Sequence, residues 1–270
     1  MIKAKINSIV ILGMYFIVSR ITKLKSNKNT KTQHNQIIKN WKKFIHNVHL
    51  TTKLMQCYSF SINMRMVVRP KMLGDIFALT PINEEEIVVK TITEMSKNSV
   101  IIDAGAHIGK YTLLASKKAS QVIAIELENQ NHEILLKNLK LNEIKNVQLI
   151  NAALASNESY DLQIGEDSST HHIIKSTGKN KMNIVSLDEV LNYSKKEKID
   201  LLKMDIEGME LEVLKKSKEI KRIIHAIIEI HNDNELNIIK NIFEQNNFTT
   251  HKNNKFLIAK NNKMEKNERR

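Results

Sequence analysis

From residue 99 onward the chain alternates short apolar runs with longer amphipathic stretches. VIID (100–103), VIAIE (122–126), VQLINAAL (147–154), IDLLKMD (199–205), IIHAIIEIH (223–231) and KFLIAK (255–260) read as strands. TLLASKKA (112–119), HEILLKNLKLN (132–142), ELEVLKKSKEI (210–220) and ELNIIKNIFEQN (235–246) carry helical spacing. Apolar strands alternating with amphipathic helices predict an α/β domain whose parallel sheet is covered on both faces. Residues 156–198 interrupt the rhythm. There YDLQIG (160–165) predicts an inserted strand and KMNIVSLDEVL (181–191) a short strand and helix, with a polar loop at 165–181.

Upstream the pattern is less regular. DIFALTPINEEEIVVKTITEM (75–95) predicts a turn at Pro81 and a helix opening on Glu84, Glu85 and Glu86, acids that complement a helix dipole. Residues 37–66 hold scattered apolar positions, among them Trp41, Phe44, Leu54, Met55 and Phe60, and predict one or two short helices. SNKNTKTQHNQ (26–36) reads as a linker. INSIVILGMYFIVS (6–19) is apolar and uncharged between Lys3 and Lys5 on one side and Arg20, Lys23 and Lys25 on the other. As a helix it covers about 21 Å, short of a hydrocarbon core of about 30 Å. Three readings stay open: an interfacial anchor, an uncleaved signal-like segment, or a helix packed on the protein. The expected organisation is therefore an apolar and basic segment (1–25), a basic linker and helical extension (26–74), a catalytic-type domain (75–260) and a disordered tail (261–270).

Charge sharpens this division. The formal net charge is +13, yet no acid precedes Asp75, while residues 1–74 hold 14 Lys and Arg. The rest of the chain carries 28 bases against 29 acids and is nearly neutral. A basic arm favours an anionic surface, lipid or nucleic acid; a plain solubilising extension is the alternative. One cysteine, Cys57, excludes an internal disulfide and fits a reducing, cytoplasmic setting, with membrane association through the N-terminus.

Candidate chemistry concentrates at SVIIDAGAHIGKYT (99–112), an apolar strand ending at Asp103, then a glycine loop and a helix. Strand, glycine turn and helix present backbone N–H groups to a ligand; Gly105 permits close approach and Gly109 permits tight helix–strand packing. The loop reads D-x-G-x-x-x-G rather than G-x-G-x-x-G, so a pyrophosphate is not its obvious ligand. About twenty residues on, VIAIE ends in Glu126, placed to accept hydrogen bonds from ribose hydroxyls.

Taken with IDLLKMDIEGMELEVL (199–214), these elements resemble the FkbM family of methyltransferases. The likeness covers about 95–231 and also takes in KNLKLNEIKNVQLINAAL, VSLDEVL and IIEIH, in one order and spacing. It implies a Rossmann-like class I methyltransferase fold, seven-stranded and mostly parallel with the last strand antiparallel. It also implies S-adenosyl-L-methionine as cofactor and methyl transfer to a hydroxyl of a glycan, lipid-linked sugar or secondary metabolite. Under the resemblance Asp103, Gly105, His107 and Gly109 belong to the cofactor loop, Glu126 to the ribose, and Asn151 and Ala152 to the adenine. Lys203, Asp205, Glu207, Gly208 and Glu210 match the K-x-D-x-E-G-x-E stretch, and Glu229 and His231 the acid and histidine after the fifth strand. Two departures stand out: His107 replaces the usual Asn, and Glu128 follows Glu-Leu where Glu-Pro is common.

For such a transfer the protein must align the acceptor oxygen and take up its proton. Asp205, at a strand's carboxyl end, is the first candidate for base or hydrogen-bond acceptor; Glu207 follows, and His231 is a third because imidazole titrates near neutrality. Helix capping is the competing reading for Asp205 and Glu207, a loop or capping role for His231, and a structural role for Glu210. His171 and His172 lie in the inserted loop, facing either acceptor or solvent. No His-Glu or Cys cluster shows metal-ligand spacing, so no metal is expected. A nucleic-acid methyltransferase is disfavoured by the absence of an Asn-Pro-Pro-aromatic element and by 5% aromatic content, which leaves few stacking platforms. A non-catalytic nucleotide-binding or membrane-tethered module remains the reading outside catalysis.

Overall fold

The computed structural model describes residues 54–59, 62–79, 86–155, 160–163, 172–175, 183–194 and 196–263. The apolar segment at 6–19, the linker at 26–36, Trp41 and His171 lie outside them, as does the turn expected at Pro81. No helix among the described residues is long and apolar enough to cross a membrane. The chain divides into two compact units, Met1–Glu86 and Ile87–Arg270.

In the first unit, β1 (Met55–Ser59) and β2 (Met64–Val68) form an antiparallel hairpin, followed by α1 (Leu73–Ala78). This corrects the helical reading over residues 55–66; residues 37–53 of that expectation lie outside the described residues. Cys57, Ser59, Met66 and Val68 are buried at a spacing of two, the period of a half-buried strand. Asp75 is fully buried on α1 and accepts from Arg69 three times, through the backbone N–H, Nε and a terminal guanidinium nitrogen, at 2.7–2.9 Å. Burial pushes the Cys57 thiol up to about 11.

The second unit opens within α2 (Glu86–Glu94), whose Val88 and Ile92 are buried. Then β3 (Val100–Ala104), α3 (Lys110–Ser116), β4 (Gln121–Ile125), α4 (Asn129–Leu141) and β5 (Val147–Ile150) alternate as the pattern predicts. The third strand stops at Ile150; Ala153–Leu154 form a separate strand, β6, which pairs in parallel with β9 (Ile184–Val185). Between them β7 (Tyr160–Gln163) and β8 (His172–Lys175) make an antiparallel pair. α5 (Leu187–Tyr193), β10 (Ile199–Met204), α6 (Glu210–Lys216), β11 (Ile223–Glu229), α7 (Leu236–Gln245), β12 (Phe248–Asn253) and β13 (Phe256–Asn261) complete the unit.

The main sheet has seven strands in the order β12-β13-β11-β10-β3-β4-β5. Five strands run parallel from β5 to β11; β13, the last in the chain, is antiparallel to both of its neighbours. β12 was not foreseen, because FTTHKN is a polar edge strand in which only Phe248 is fully buried. Asn261, assigned from sequence to the tail, ends β13 and donates to the carbonyls of Lys221 and Ile223. All five residues of β3 are buried, as a central strand covered on both faces requires. Chain order reverses between β3 and β10, which opens a crevice beyond their carboxyl ends.

Ser186 caps α5 in a capping box with Glu189, each side chain taking the other's backbone N–H. Ser186→Ala is expected to cost about 1 kcal/mol, read as a lower denaturation midpoint in urea without loss of fold.

Candidate active site

β3 runs directly into the glycine loop. The N–H groups of Gly105 and Ala106 both donate to the Ile125 carbonyl, at 3.0 and 2.9 Å, which turns the chain across the end of β4. Gly105 has φ +76°, and a Cβ there would lie 1.7 Å from the Asp205 carbonyl oxygen; no side chain fits. Gly109 has φ +99°, and a Cβ would meet Leu135 of α4 at 2.2 Å. On the same helix Asn138, fully buried, donates to the Ile108 carbonyl at 2.8 Å. α4 therefore braces the loop from behind. His107 has φ +50°, a region that Asn and His tolerate better than most residues.

Glu126 reaches back to this loop. Its carboxylate accepts from the His107 N–H at 2.7 Å, the Glu128 N–H at 2.9 Å and the Asn131 side-chain amide at 3.2 Å. Burial pushes its pKa up to about 7, against the lowering effect of those three donors. Glu128 caps α4 by accepting from the Gln130 and Asn131 N–H groups, so the departure from Glu-Pro supplies a helix cap. Gly105, His107, Glu126, Glu128, Ala152, Asp205 and Glu207 line one open cleft at the carboxyl ends of β3, β4, β5 and β10.

Asp103, Gly109 and Asn151 stand outside that lining. Asp103 is 1% exposed beneath the loop; it accepts from Thr112 at 2.6 Å and pairs with Lys203 at 3.3 Å. Asn151 donates to the carbonyls of Glu126 and Leu127 at 2.9 and 3.1 Å. Both shape the cleft from behind. Lys203, buried on β10, also donates to the Gly105 carbonyl at 2.9 Å and lies 3.7 Å from Asp205. Burial alone would lower its pKa, but Asp103, Asp205 and Glu229 outweigh that and hold it above the ordinary lysine value.

Beyond β10 the chain does not use Asp205 or Glu207 as caps. The N-cap of α6 is Met209, which makes no side-chain cap hydrogen bond. Glu210, 2% exposed, instead folds back to accept from the N–H groups of Ile206 and Gly208 at 3.0 and 3.3 Å. Its carboxylate also lies 3.0 Å from His231 Nδ1. On the other side of the ring, His231 Nε2 is 3.4 Å from both Asp205 Oδ1 and Glu207 Oε2, and 3.9 Å from Glu229. Lys255 holds Glu229 at 2.8 Å, a partner that sequence spacing did not reveal.

The cluster sets its own protonation. Burial works against a charged imidazole, but Glu210, Asp205 and Glu207 raise His231 to about 9. Burial and the Asp205 charge raise Glu207 to about 8, and burial with the Asp205 charge raises Glu229 to about 7. Burial would raise Asp205 as well, yet Lys203 and His231 hold it below the usual carboxylate value. At neutral pH the site thus contains an imidazolium and an ionised Asp205. The carboxylates around His231 thus favour its imidazolium form. Asp205, Glu207 and His231 also bring three ligand-type atoms within 4.8 Å of one another, a grouping that linear spacing concealed and that could hold a cation only with the imidazole deprotonated. Of the two loop histidines, His172 falls in β8.

A glycine loop, an acid beyond the second parallel strand and a second acidic rim meet at the sheet reversal, where open α/β sheets hold their ligands. The chain belongs to the methyltransferase FkbM domain family, which matches residues 103–250, more than half of its length. It is similar to the hexuronic acid methyltransferase AglP of Haloferax volcanii, 25% identical over 150 residues. That match covers 55% of this chain and 62% of the relative. Similar solved structures include methyltransferase FkbM from Methylobacillus flagellatus, with 18% identity and a TM-score of 0.44 over 62% of this chain and 44% of that one. Another is SMU.1697c from Streptococcus mutans in complex with SAH, with 19% identity and a TM-score of 0.42 over 65% and 96%.

The raised groups have a consequence for stability. His231 takes up its proton at a higher pH folded (about 9) than at its ordinary value of 6.5. Glu207 does likewise, about 8 against 4.5. Between those limits the folded state holds more protons than the unfolded, so stability falls as pH rises. Urea midpoints should decline from pH 6.5 to 9, and His231→Gln should flatten that decline.

Proposed function

We propose that this chain transfers a methyl group from S-adenosyl-L-methionine to a hydroxyl of a glycan, a lipid-linked sugar or a secondary metabolite. The observation that carries the reading is the Glu126 carboxylate, tied to the His107 N–H at 2.7 Å and lining the same cleft as Gly105 and Asp205. The Glu126 end of the cleft suits a nucleoside sugar, and Asp205 suits an acceptor beside it. The donor set fits the cofactor's charge as well. Four acidic side chains and neither Lys nor Arg line the cleft among the described residues, and those of them that are ionised favour a sulfonium. The family match and the relative's activity on a hexuronic acid support a sugar acceptor.

In this reading Glu126 accepts hydrogen bonds from the ribose hydroxyls, and Gly105, His107 and Gly109 shape the loop that admits them. Ala152 faces the adenine, while Asn151 fixes the Glu126–Leu127 backbone beside it. Asp103 acts through Lys203 and Thr112 to hold the loop rather than by touching the cofactor. When bound, the cofactor supplies an electrophilic methyl on a sulfonium that departs as a neutral thioether, so the protein has no leaving-group anion to stabilise. Asp205, kept ionised by Lys203 and His231, orients the acceptor hydroxyl and receives its proton. Glu207 hydrogen-bonds the acceptor beside it. His231 balances the negative charge of the rim and positions both carboxylates. The basic segment 1–74 is read as an arm for an anionic membrane surface.

Two measurements test this. Calorimetry of S-adenosylmethionine binding should show at least a tenfold loss, about 1.4 kcal/mol, for Glu126→Ala, with Asp205→Asn close to wild type. Asp205→Asn should then lose transfer to an acceptor by about 10²-fold or more. Equal affinity in all three proteins would remove the ribose role of Glu126. Because Glu126 titrates near 7, wild-type affinity should also weaken as pH falls from 8 to 6, and Glu126→Gln should abolish that dependence.

A further inference from the structure

The ring of His231 is held in the way that metal-binding histidines are held. Its Nδ1 lies 3.0 Å from Glu210, a buried carboxylate that is itself pinned by the N–H groups of Ile206 and Gly208. Metal-ligating imidazoles give their far N–H to such an outer carboxylate, which fixes the tautomer and aims the other nitrogen. Here the aimed nitrogen is Nε2. It meets Asp205 Oδ1 and Glu207 Oε2 at 3.4 Å each. Those separations exceed the roughly 2.7–3.2 Å of an N–H···O hydrogen bond. They match donors that share an ion: two atoms each about 2.1 Å from one cation stand about 3.4 Å apart at the tetrahedral angle.

The neighbours keep this set in place. Asp205 turns its other oxygen, Oδ2, to Lys203 at 3.7 Å, which leaves Oδ1 to the ring. Lys255 holds Glu229 at 2.8 Å, so that carboxylate stays 3.9 Å from Nε2. Asp205 and Glu207 also line the open cleft, which gives an ion its way in. We infer that Asp205, Glu207 and His231 form a binding site for one divalent first-row cation, with Glu210 as the outer carboxylate that orients the imidazole. Two carboxylates and one imidazole suit Mn²⁺ and its heavier neighbours better than Mg²⁺ or Ca²⁺, which favour oxygen alone. The ring ligates only when neutral, so the ion enters as the imidazole proton leaves to solvent. An Asp205 oxygen held by a cation takes up no proton. The ion-bound site and the proton-accepting site of the proposed transfer are therefore alternatives, and ion binding itself does not depend on what the chain methylates.

The test titrates the full-length protein with Mn²⁺ at pH 8 and counts the free ion by its EPR signal. Bound Mn²⁺ should show, in pulsed EPR, coupling to one imidazole nitrogen, and a tenfold excess of Mg²⁺ should leave most of it bound. Calorimetry in buffers of different ionisation enthalpy should show proton release on binding. His231→Gln and Asp205→Asn should each weaken the site by tenfold or more, and His231→Gln should also remove the nitrogen coupling. His251→Gln, on the edge strand β12, should change neither. Far-UV circular dichroism checks that each variant is folded. Failure of the wild-type chain to take up millimolar Mn²⁺, or uptake without any nitrogen coupling, would overturn the inference with no variant needed. Uptake that persists unchanged in both folded site variants would overturn it as well.

Discussion

A single buried ammonium joins the two halves of the site. Lys203 sits on β10 beside β3, with Asp103 on one side and Asp205 on the other, and it donates to the carbonyl of Gly105. A lysine this deep is tolerable only with compensating negative charge, and the carboxylates provide it. The arrangement also works in reverse. Asp103 at the centre of the sheet and an ionised Asp205 at its edge both depend on the same cation. Position of the glycine loop and charge of the acceptor rim are therefore properties of one interaction.

The second organising element is the imidazole of His231. It stands between Glu210, which pins the turn after β10, and the carboxylates of Asp205 and Glu207, which face the cleft. Without a positive ring at that point, four acids from the ends of β10, β11 and the start of α6 would repel one another. The turn itself is tight, with Glu207 at φ +55°, so its carboxylate reaches the rim from a left-handed backbone rather than from an extended strand. An extended chain with carboxylates at alternate positions is therefore not what produces the shared rim. Glu210 and His231 produce it, from two different elements.

Much of this was legible in the chain. The apolar runs of β3, β4, β10 and β11 are buried on both faces, so they stand out without reference to partners, and the glycine loop and Glu126 follow from strand ends alone. What escaped were features decided by long-range contact. β12 is a polar edge strand held by its neighbour β13. The β1–β2 hairpin has period-two burial in a stretch whose apolar residues look irregular. Asp103 reads as a ligand-facing acid from its place before the loop, yet Thr112 and Lys203 draw it inward. The raised pKa of His231 depends on carboxylates up to 26 residues away in sequence, which no local pattern encodes.

The hairpin of the smaller unit has a practical corollary. Its Cys57 is the chain's sole cysteine, 5% exposed, with a thiol pushed up to about 11 by its surroundings. A thiolate is the species that alkylating reagents attack, so the native side chain is doubly shielded, by access and by acidity. The wild-type chain thus offers an almost silent background for maleimide chemistry, and a cysteine introduced at the cleft mouth would carry a fluorophore or spin label at one defined point.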